Sequence, residues 1–177
     1  IFTSQNAVLS ILQHPTIDQL KQKIVFCVGL KTKELLNENG FTVEAYTGYA
    51  EDLAEIITLV YSDESFTFFS GNLRRDTLPE MLSENEITFN EIKVYDTTLT
   101  PQKISEKVDG ILFFSPSAVT SYLKKNTLAN EKLFCIGNTT ADALRAVLSE
   151  TKIKNIKTAY QPSVDNVIEQ VIEYYNK

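Results

Sequence analysis

The 177-residue sequence predicts an α/β fold made of two similar lobes, each a parallel sheet flanked by helices, with a cleft between them. Three observations predict it. Short runs rich in Val, Ile and Phe alternate with helical stretches along the whole chain. Most of those runs are short and continuously apolar, as strands buried on both faces are. A block of the first half also recurs in the second.

In chain order, strands are expected over 1–3, 24–28, 42–45, 66–69, 87–95, 110–114, 132–136 and 156–159. Helices are expected over 7–12, 32–39, 52–61, 75–83, 118–125, 140–148 and 164–175. Gly40 follows the second of these helices and suits a C′ position, where positive φ is needed. The last helix carries Val164, Val167, Ile168, Val171, Ile172 and Tyr175, a stripe at helical spacing. The opening Ile1-Phe-Thr-Ser reads as the middle of a strand, so a segment before Ile1 is expected.

The repeat is detailed. Phe2-Thr-Ser-Gln-Asn-Ala-Val aligns with Phe113-Phe-Ser-Pro-Ser-Ala-Val, and Phe26-Cys-Val-Gly aligns with Phe134-Cys-Ile-Gly. Thr32 then meets Thr140, and Leu36 meets Leu144. Between the two alignments the register slips inside a loop, where a length change costs little. Two copies of a β-α-β-α block give a first lobe over 1–95, a crossing over 96–102 and a second lobe over 103–177. Cys27 and Cys135 occupy equivalent strand positions, which reads as small buried core residues.

Composition excludes several classes. Lys plus Arg number 17 and Asp plus Glu number 23, a formal net charge of −6, which argues against nucleic-acid binding. Two Cys and one His build neither a Cys/His zinc site nor a disulfide framework. His14 stands next to Pro15 in an expected loop, with no nucleophile placed to use it. No apolar run approaches the roughly 18 residues that span a bilayer. Buried, reduced cysteines and the lack of a signal peptide point to the cytoplasm. No oligomerisation signal is visible, so a monomer is expected.

The residues that could carry chemistry sit where strands end. Thr3-Ser-Gln-Asn, Gly29-Leu-Lys-Thr, Ser70-Gly-Asn, Ser115-Pro-Ser and Gly137-Asn-Thr-Thr each join a strand to a helix. In an open parallel sheet these ends share one edge, and helix N-termini there favour anions. Ser, Thr and Asn at such places are also ordinary helix caps. For any one turn, capping alone accounts for them. Taken together they also fit a donor-rich pocket for carboxylates or phosphates. Arg74-Arg75 reads either as a clamp for a carboxylate or as solvated charge. Arg75, expected in a first helical turn where the dipole disfavours cations, hints at an anionic ligand.

Four segments in order resemble the uroporphyrinogen-III synthase family. They are Gly71-Asn-Leu-Arg-Arg-Asp-Thr-Leu-Pro, Ile92-Lys-Val-Tyr-Asp-Thr, Phe113-Phe-Ser-Pro-Ser and Cys135-Ile-Gly-Asn-Thr-Thr-Ala-Asp-Ala-Leu. Ile1-Phe-Thr-Ser-Gln-Asn-Ala-Val and the late Pro162-Ser163 fit as well. The resemblance implies an enzyme without metal or cofactor. It would take hydroxymethylbilane, a small-molecule substrate bearing acetate and propionate groups, and close it to uroporphyrinogen III with inversion of the last pyrrole and loss of water. It also implies the upstream hydroxymethylbilane synthase as a candidate partner.

Carried over residue by residue, the resemblance makes Tyr95 the group that assists departure of the terminal hydroxyl. A phenol is a weak proton donor, so its contribution should be about tenfold to a hundredfold. Its ring could equally serve only to pack the lobe junction. Thr3, Ser4, Asn6, Gly29, Thr32, Gly71, Asn72 and Arg75 would bind substrate from one lobe. Ser115, Ser117, Ala118, Gly137, Thr139 and Thr140 would bind it from the other. Lys31 stands where the family commonly has a small residue. Family chains also begin with a further strand and helix belonging to the second lobe, which this sequence does not contain. A non-catalytic two-lobed binder of small carboxylates and a flavodoxin-like flavin protein are the alternatives.

Overall fold

The strands pair in parallel, with Ile24–Val28 and Ser65–Gly71 largely buried and Thr42–Thr47 and Thr88–Tyr95 largely exposed along one face or more. The computed structural model describes residues 1–176, so the end of the lobe expected over 103–177 lies outside the described residues. The chain divides into two compact units, Ile1–Thr97 and Thr98–Lys177.

The first unit runs α1 (Gln5–Ile11), α2 (Ile17–Lys21), β1 (Ile24–Val28), α3 (Leu30–Glu38), β2 (Thr42–Thr47), α4 (Ala50–Val60), β3 (Ser65–Gly71), α5 (Thr77–Glu84) and β4 (Thr88–Tyr95). β1 pairs with β2 and β3 with β4, both in parallel. The expected strand over 1–3 shrinks to a bridge at Phe2, parallel to Cys27 on one side and to Phe69 on the other. It joins the two ladders through Phe2 N–H to the Phe26 carbonyl (2.8 Å) and Phe69 N–H to the Ile1 carbonyl (3.0 Å).

Period-2 alternation then fills both faces. Phe26, Phe66 and Phe68 pack against Leu53 and Ile57 of α4 and Leu78 and Leu82 of α5. Phe2, Val25 and Cys27 pack against Ala7, Val8 and Ile11 of α1 and Leu36 of α3.

The second unit runs β5 (Gly110–Phe113), α6 (Pro116–Leu123), β6 (Lys132–Cys135), α7 (Asn138–Arg145), α8 (Glu150–Ile153), β7 (Ile156–Thr158) and α9 (Val164–Tyr175). Its three-stranded sheet has the order β5-β6-β7, all parallel. Phe113, Val119, Leu133, Cys135 and Leu144 fill one face. Phe134 and Val167 fill the other, with Val171 and Tyr174 alongside. Asn126, buried near the end of α6, is saturated. It accepts from Ile104 N–H (2.8 Å) and donates to the carbonyls of Gln102 (2.7 Å) and Tyr122 (3.0 Å), tying the incoming chain to the helix.

Further expectations change. The fourth helix begins at Thr77 rather than at 75, because Asp76 takes the N-cap position. Arg75 therefore lies before the helix, and its unfavourable place on the dipole disappears. The short helices α2 and α8 hold too few residues to show a period. The α9 stripe is only partly used. Val167 is fully buried, while Val164, Ile168 and Ile172 stay about half exposed. Among the described residues Phe134, Ala159 and Val167 form the buried core on that face, too little apolar surface for the full stripe.

Candidate active site

Because every ladder of the first unit is parallel, its strand C-termini fall on one edge of the sheet. Thr3, Gly29, Gly71 and Tyr95 are all placed there. In the second unit Ser115 and Gly137 mark the corresponding edge.

These ends are of two kinds. Ser4 caps α1, its Oγ accepting Asn6 N–H at 3.0 Å. Ser115 caps α6, its Oγ accepting Ala118 N–H at 3.1 Å and lying 3.0 Å from Ser117 Oγ. For these serines the capping account holds. Glycine instead caps α3 and α7, with no side-chain cap at either. Thr140 N–H and Ala141 N–H return to the Gly137 carbonyl, both at 3.1 Å, whereas the N–H groups of Asn138 and Thr139 have no backbone acceptor. A helix N-terminus left open in this way is an anion seat. Asn138 is exposed, Thr139 is half-buried and Thr140 is buried, so the α7 end offers backbone donors flanked by an amide and a hydroxyl.

Tyr95 closes β4 with its ring half-buried among Phe2, Val8 and their neighbours. Its hydroxyl has no hydrogen-bond partner among the described residues. The backbone beside it is irregular. Ser70 pairs with Lys93 and Gly71 with Tyr95, leaving Val94 as an extra residue. The bulge lets Val94 and Tyr95 pack in the same cluster, where a regular strand would send them to opposite faces.

The other predicted residues are placed as follows. Thr32 is buried in the first turn of α3, behind Gly29, whose φ of +90° requires glycine. Thr3 is half-buried and Asn6 is exposed. Asn72 spends its side chain on Thr97, donating to the Thr97 carbonyl (3.1 Å) and accepting Thr97 N–H (2.6 Å). Arg74 is occupied too. Its Nε donates to Glu91 Oε1 (2.6 Å) and its Nη2 to Glu91 Oε2 (2.9 Å), with Asp76 as a further partner. Charge-assisted bonds to Arg74 hold the Glu91 carboxyl below its ordinary range. Arg75 is exposed and makes no side-chain bond among the described residues, so of the Arg74-Arg75 pair it is the one open to a carboxylate.

Glu91 lies outside every quoted segment and Thr97 closes one of them without a role assigned to it, so sequence reasoning missed both contacts. The pairing of β3 with β4 brings Glu91 near Arg74, and the chain just past β4 brings Thr97 to Asn72. Burial pushes the thiols of Cys27 and Cys135 up to about 11, as fits core residues rather than nucleophiles. His14 is exposed, its Nδ1 2.9 Å from Thr16 Oγ1. A cavity of about 550 Å³ is lined by Ile11, Ile17, Leu20, Phe69, Ile92 and Val94, among others, but by none of the predicted site residues. Among the described residues no cluster of His, Cys, Asp and Glu could hold a metal ion. No helix among them is long and apolar enough to cross a membrane.

The chain is similar to known proteins. The family model described as uroporphyrinogen-III synthase HemD matches residues 1–169. The uroporphyrinogen-III synthase of Chlorobaculum parvum is 28% identical over 165 residues, which span 81% of this chain and 67% of that protein. The crystal structure of uroporphyrinogen-III synthetase from Helicobacter pylori matches with a TM-score of 0.71 at 25% identity, covering 98% of this chain and 81% of that one.

Proposed function

Because the chain belongs to the uroporphyrinogen-III synthase family, whose members cyclise hydroxymethylbilane in tetrapyrrole biosynthesis, we propose that Tyr95 helps the terminal hydroxyl of that substrate to leave. The chain is thus a cyclising lyase of porphyrin and haem biosynthesis. One observation carries the role of Tyr95: its hydroxyl lies at the carboxyl edge of a parallel sheet with no partner of its own.

The chemistry needs little from the protein. The pyrrole nitrogen pushes electrons toward the hydroxymethyl carbon, the C–O bond breaks, and water leaves with a proton delivered to the departing oxygen. The resulting azafulvene is attacked by the substituted carbon of the last ring, giving a spiro intermediate. That intermediate fragments and recloses with the ring inverted. Folding the chain so that its ends meet is the main task, and positioning of this kind can supply most of a rate enhancement. The Tyr95 hydroxyl donates a hydrogen bond to the leaving oxygen. The open α7 terminus takes a substrate carboxylate, helped by Thr139, with Ser117 and Arg75 as further donors, while Thr140 packs the turn from inside.

Buried, reduced thiols favour the cytoplasm. The substrate closes unaided to the type I isomer, which favours direct supply by hydroxymethylbilane synthase. The enzyme is taken to act as a monomer.

The product isomer is the test. The enzyme should yield type III, and Tyr95→Phe should lower kcat by about tenfold to a hundredfold with KM little changed. Type I as the sole product would reject the synthase. An unaltered kcat in the Phe variant would reduce Tyr95 to a packing residue.

A further inference from the structure

Gly71 is the last residue of β3 and pairs with Tyr95 across the bulge. A Cβ placed on it would lie 2.3 Å from Tyr95 Cζ, 2.5 Å from Cε2 and 2.7 Å from the hydroxyl oxygen. The phenol end of the ring therefore lies directly across the Gly71 Cα. The positive-φ glycines are Gly29 and Gly40, so backbone freedom does not account for glycine at 71. The space does.

Asn72 grips the same residue from the other side. Its N–H reaches the Tyr95 carbonyl at 3.3 Å. Its amide side chain holds both the N–H and the carbonyl of Thr97, two residues beyond. Arg74 adds a brace from the same loop to Glu91, four residues before Tyr95.

We infer that Gly71 and Asn72 are positioning residues that fix the Tyr95 hydroxyl, rather than groups that bind substrate themselves. The inference rests on the proposed role of Tyr95. Gly71 leaves the seat into which the ring fits, and the bulge at Val94 turns the ring toward it. Asn72 holds the chain on the far side so that the ring does not swing with the following segment. An error of about 1 Å in such a group is enough to cost a hundredfold in rate.

A double-mutant cycle in the whole enzyme tests this. Gly71→Ala should lower kcat about as far as Tyr95→Phe does, with KM within about twofold, and the type I fraction should rise as spontaneous closure overtakes. Gly71→Ala combined with Tyr95→Phe should be no slower than Tyr95→Phe alone, because one change displaces the hydroxyl that the other deletes. Asn72→Ala should behave in the same way, with Asn72→Asp partly restoring kcat through the retained acceptor for Thr97 N–H.

Losses that multiply would overturn the inference, since each residue would then act without Tyr95. A wild-type kcat in Gly71→Ala would overturn it as well. Melting temperature gives an arm that does not depend on catalysis. Gly71→Ala should lower Tm when Tyr95 is present and leave it unchanged or raised in a Tyr95→Ala background, where the clash is gone and the unfolded chain is stiffer. An equal drop in both backgrounds would show that no ring seat exists. If Tyr95→Phe leaves kcat intact while the Tm reversal holds, the seat stands and only the catalytic role of Tyr95 falls.

Discussion

α3 and α7 occupy equivalent places in the sequence repeat, and they agree on the buried face while differing in the first turn. Each follows a Phe-Cys-aliphatic-Gly strand end. Each buries a threonine in its first turn and a leucine one turn later, Thr32 and Leu36 in one copy, Thr140 and Leu144 in the other. Their first residues differ. α3 opens with exposed Leu30 and with Lys31, which is paired to Glu34 at 3.0 Å, behind a glycine at φ +90°. α7 opens with Asn138 and Thr139 behind a glycine in extended backbone at φ −170°. Burial constrains the inner face of both copies, because any change of volume there is felt. The exposed first turn carries no such constraint, and there the α7 copy flanks its backbone N–H groups with the Asn138 amide and the Thr139 hydroxyl where the α3 copy has Leu30 and Lys31.

The inner faces should therefore respond alike and strongly. Leu36→Ala and Leu144→Ala each remove a fully buried side chain and should each cost about 2–5 kcal/mol. Calorimetry on the two variants checks this. The second unit has less core to spare, with Phe134, Ala159 and Val167 as the buried residues of its second face. Leu144→Ala should therefore bring its unit closer to unfolding at 37 °C than Leu36→Ala brings the other. A cost below about 1 kcal/mol in either copy would mean that its core closes around the gap, and the parity would break.

The outer ends should respond differently. Proline at the first position of a helix removes one N–H and is otherwise tolerated. Asn138→Pro deletes one of the two unpaired donors of α7 and follows a residue already in extended backbone, the conformation proline prefers before it. KM for hydroxymethylbilane should rise by about tenfold, the worth of one hydrogen bond to a charged group. Leu30→Pro deletes the equivalent donor of α3 and should leave KM within about twofold. Steady-state kinetics on the pair sharpen the contrast. Equal KM effects would mean that both ends bind substrate or that neither does.

The duplicated frame was legible in the sequence because burial leaves a residue pattern. β1 and α9 occupy the expected residues, since an apolar run and a helical stripe mark them. What was hidden depends on two strands at once. Neither the bulge at Val94 nor the place of Gly71 under Tyr95 follows from local pattern. Both arise from how β3 and β4 register. The same holds for Arg74, whose sequence context suggested a free carboxylate clamp while Glu91, remote in the chain, already holds it. Ser4 and Ser115 looked like ligand donors and also like caps, and only the geometry showed their oxygens taken by N–H groups of their own helices. Phe2 was expected as part of a full strand but bridges two ladders as a single residue, because α1 begins at Gln5.

The smallest expected effect separates the units by acid. In the first unit Arg74 and Glu91 tie a loop to a strand, and their side chains are 26% and 28% exposed. In the second unit the ion pair among the described residues is Arg145 with Asp142, one turn apart on the surface of α7. The Glu91 carboxyl is held below its ordinary range, chiefly by the hydrogen bond from Arg74. A depressed carboxyl adds stability that is fully present above its unfolded value and is lost as pH falls through its folded value. Glu91→Gln should therefore cost up to about 1 kcal/mol at pH 7 and progressively less at acid pH, as the native carboxyl takes up its proton. Asp142→Asn should change stability by no more than a few tenths of a kcal/mol at either pH. Denaturant unfolding of both variants at pH 7 and at acid pH reads the difference. An acid-sensitive loss at Asp142, or none at Glu91, would mean that bridging a loop to a strand gives an ion pair no advantage over a pair within one helix.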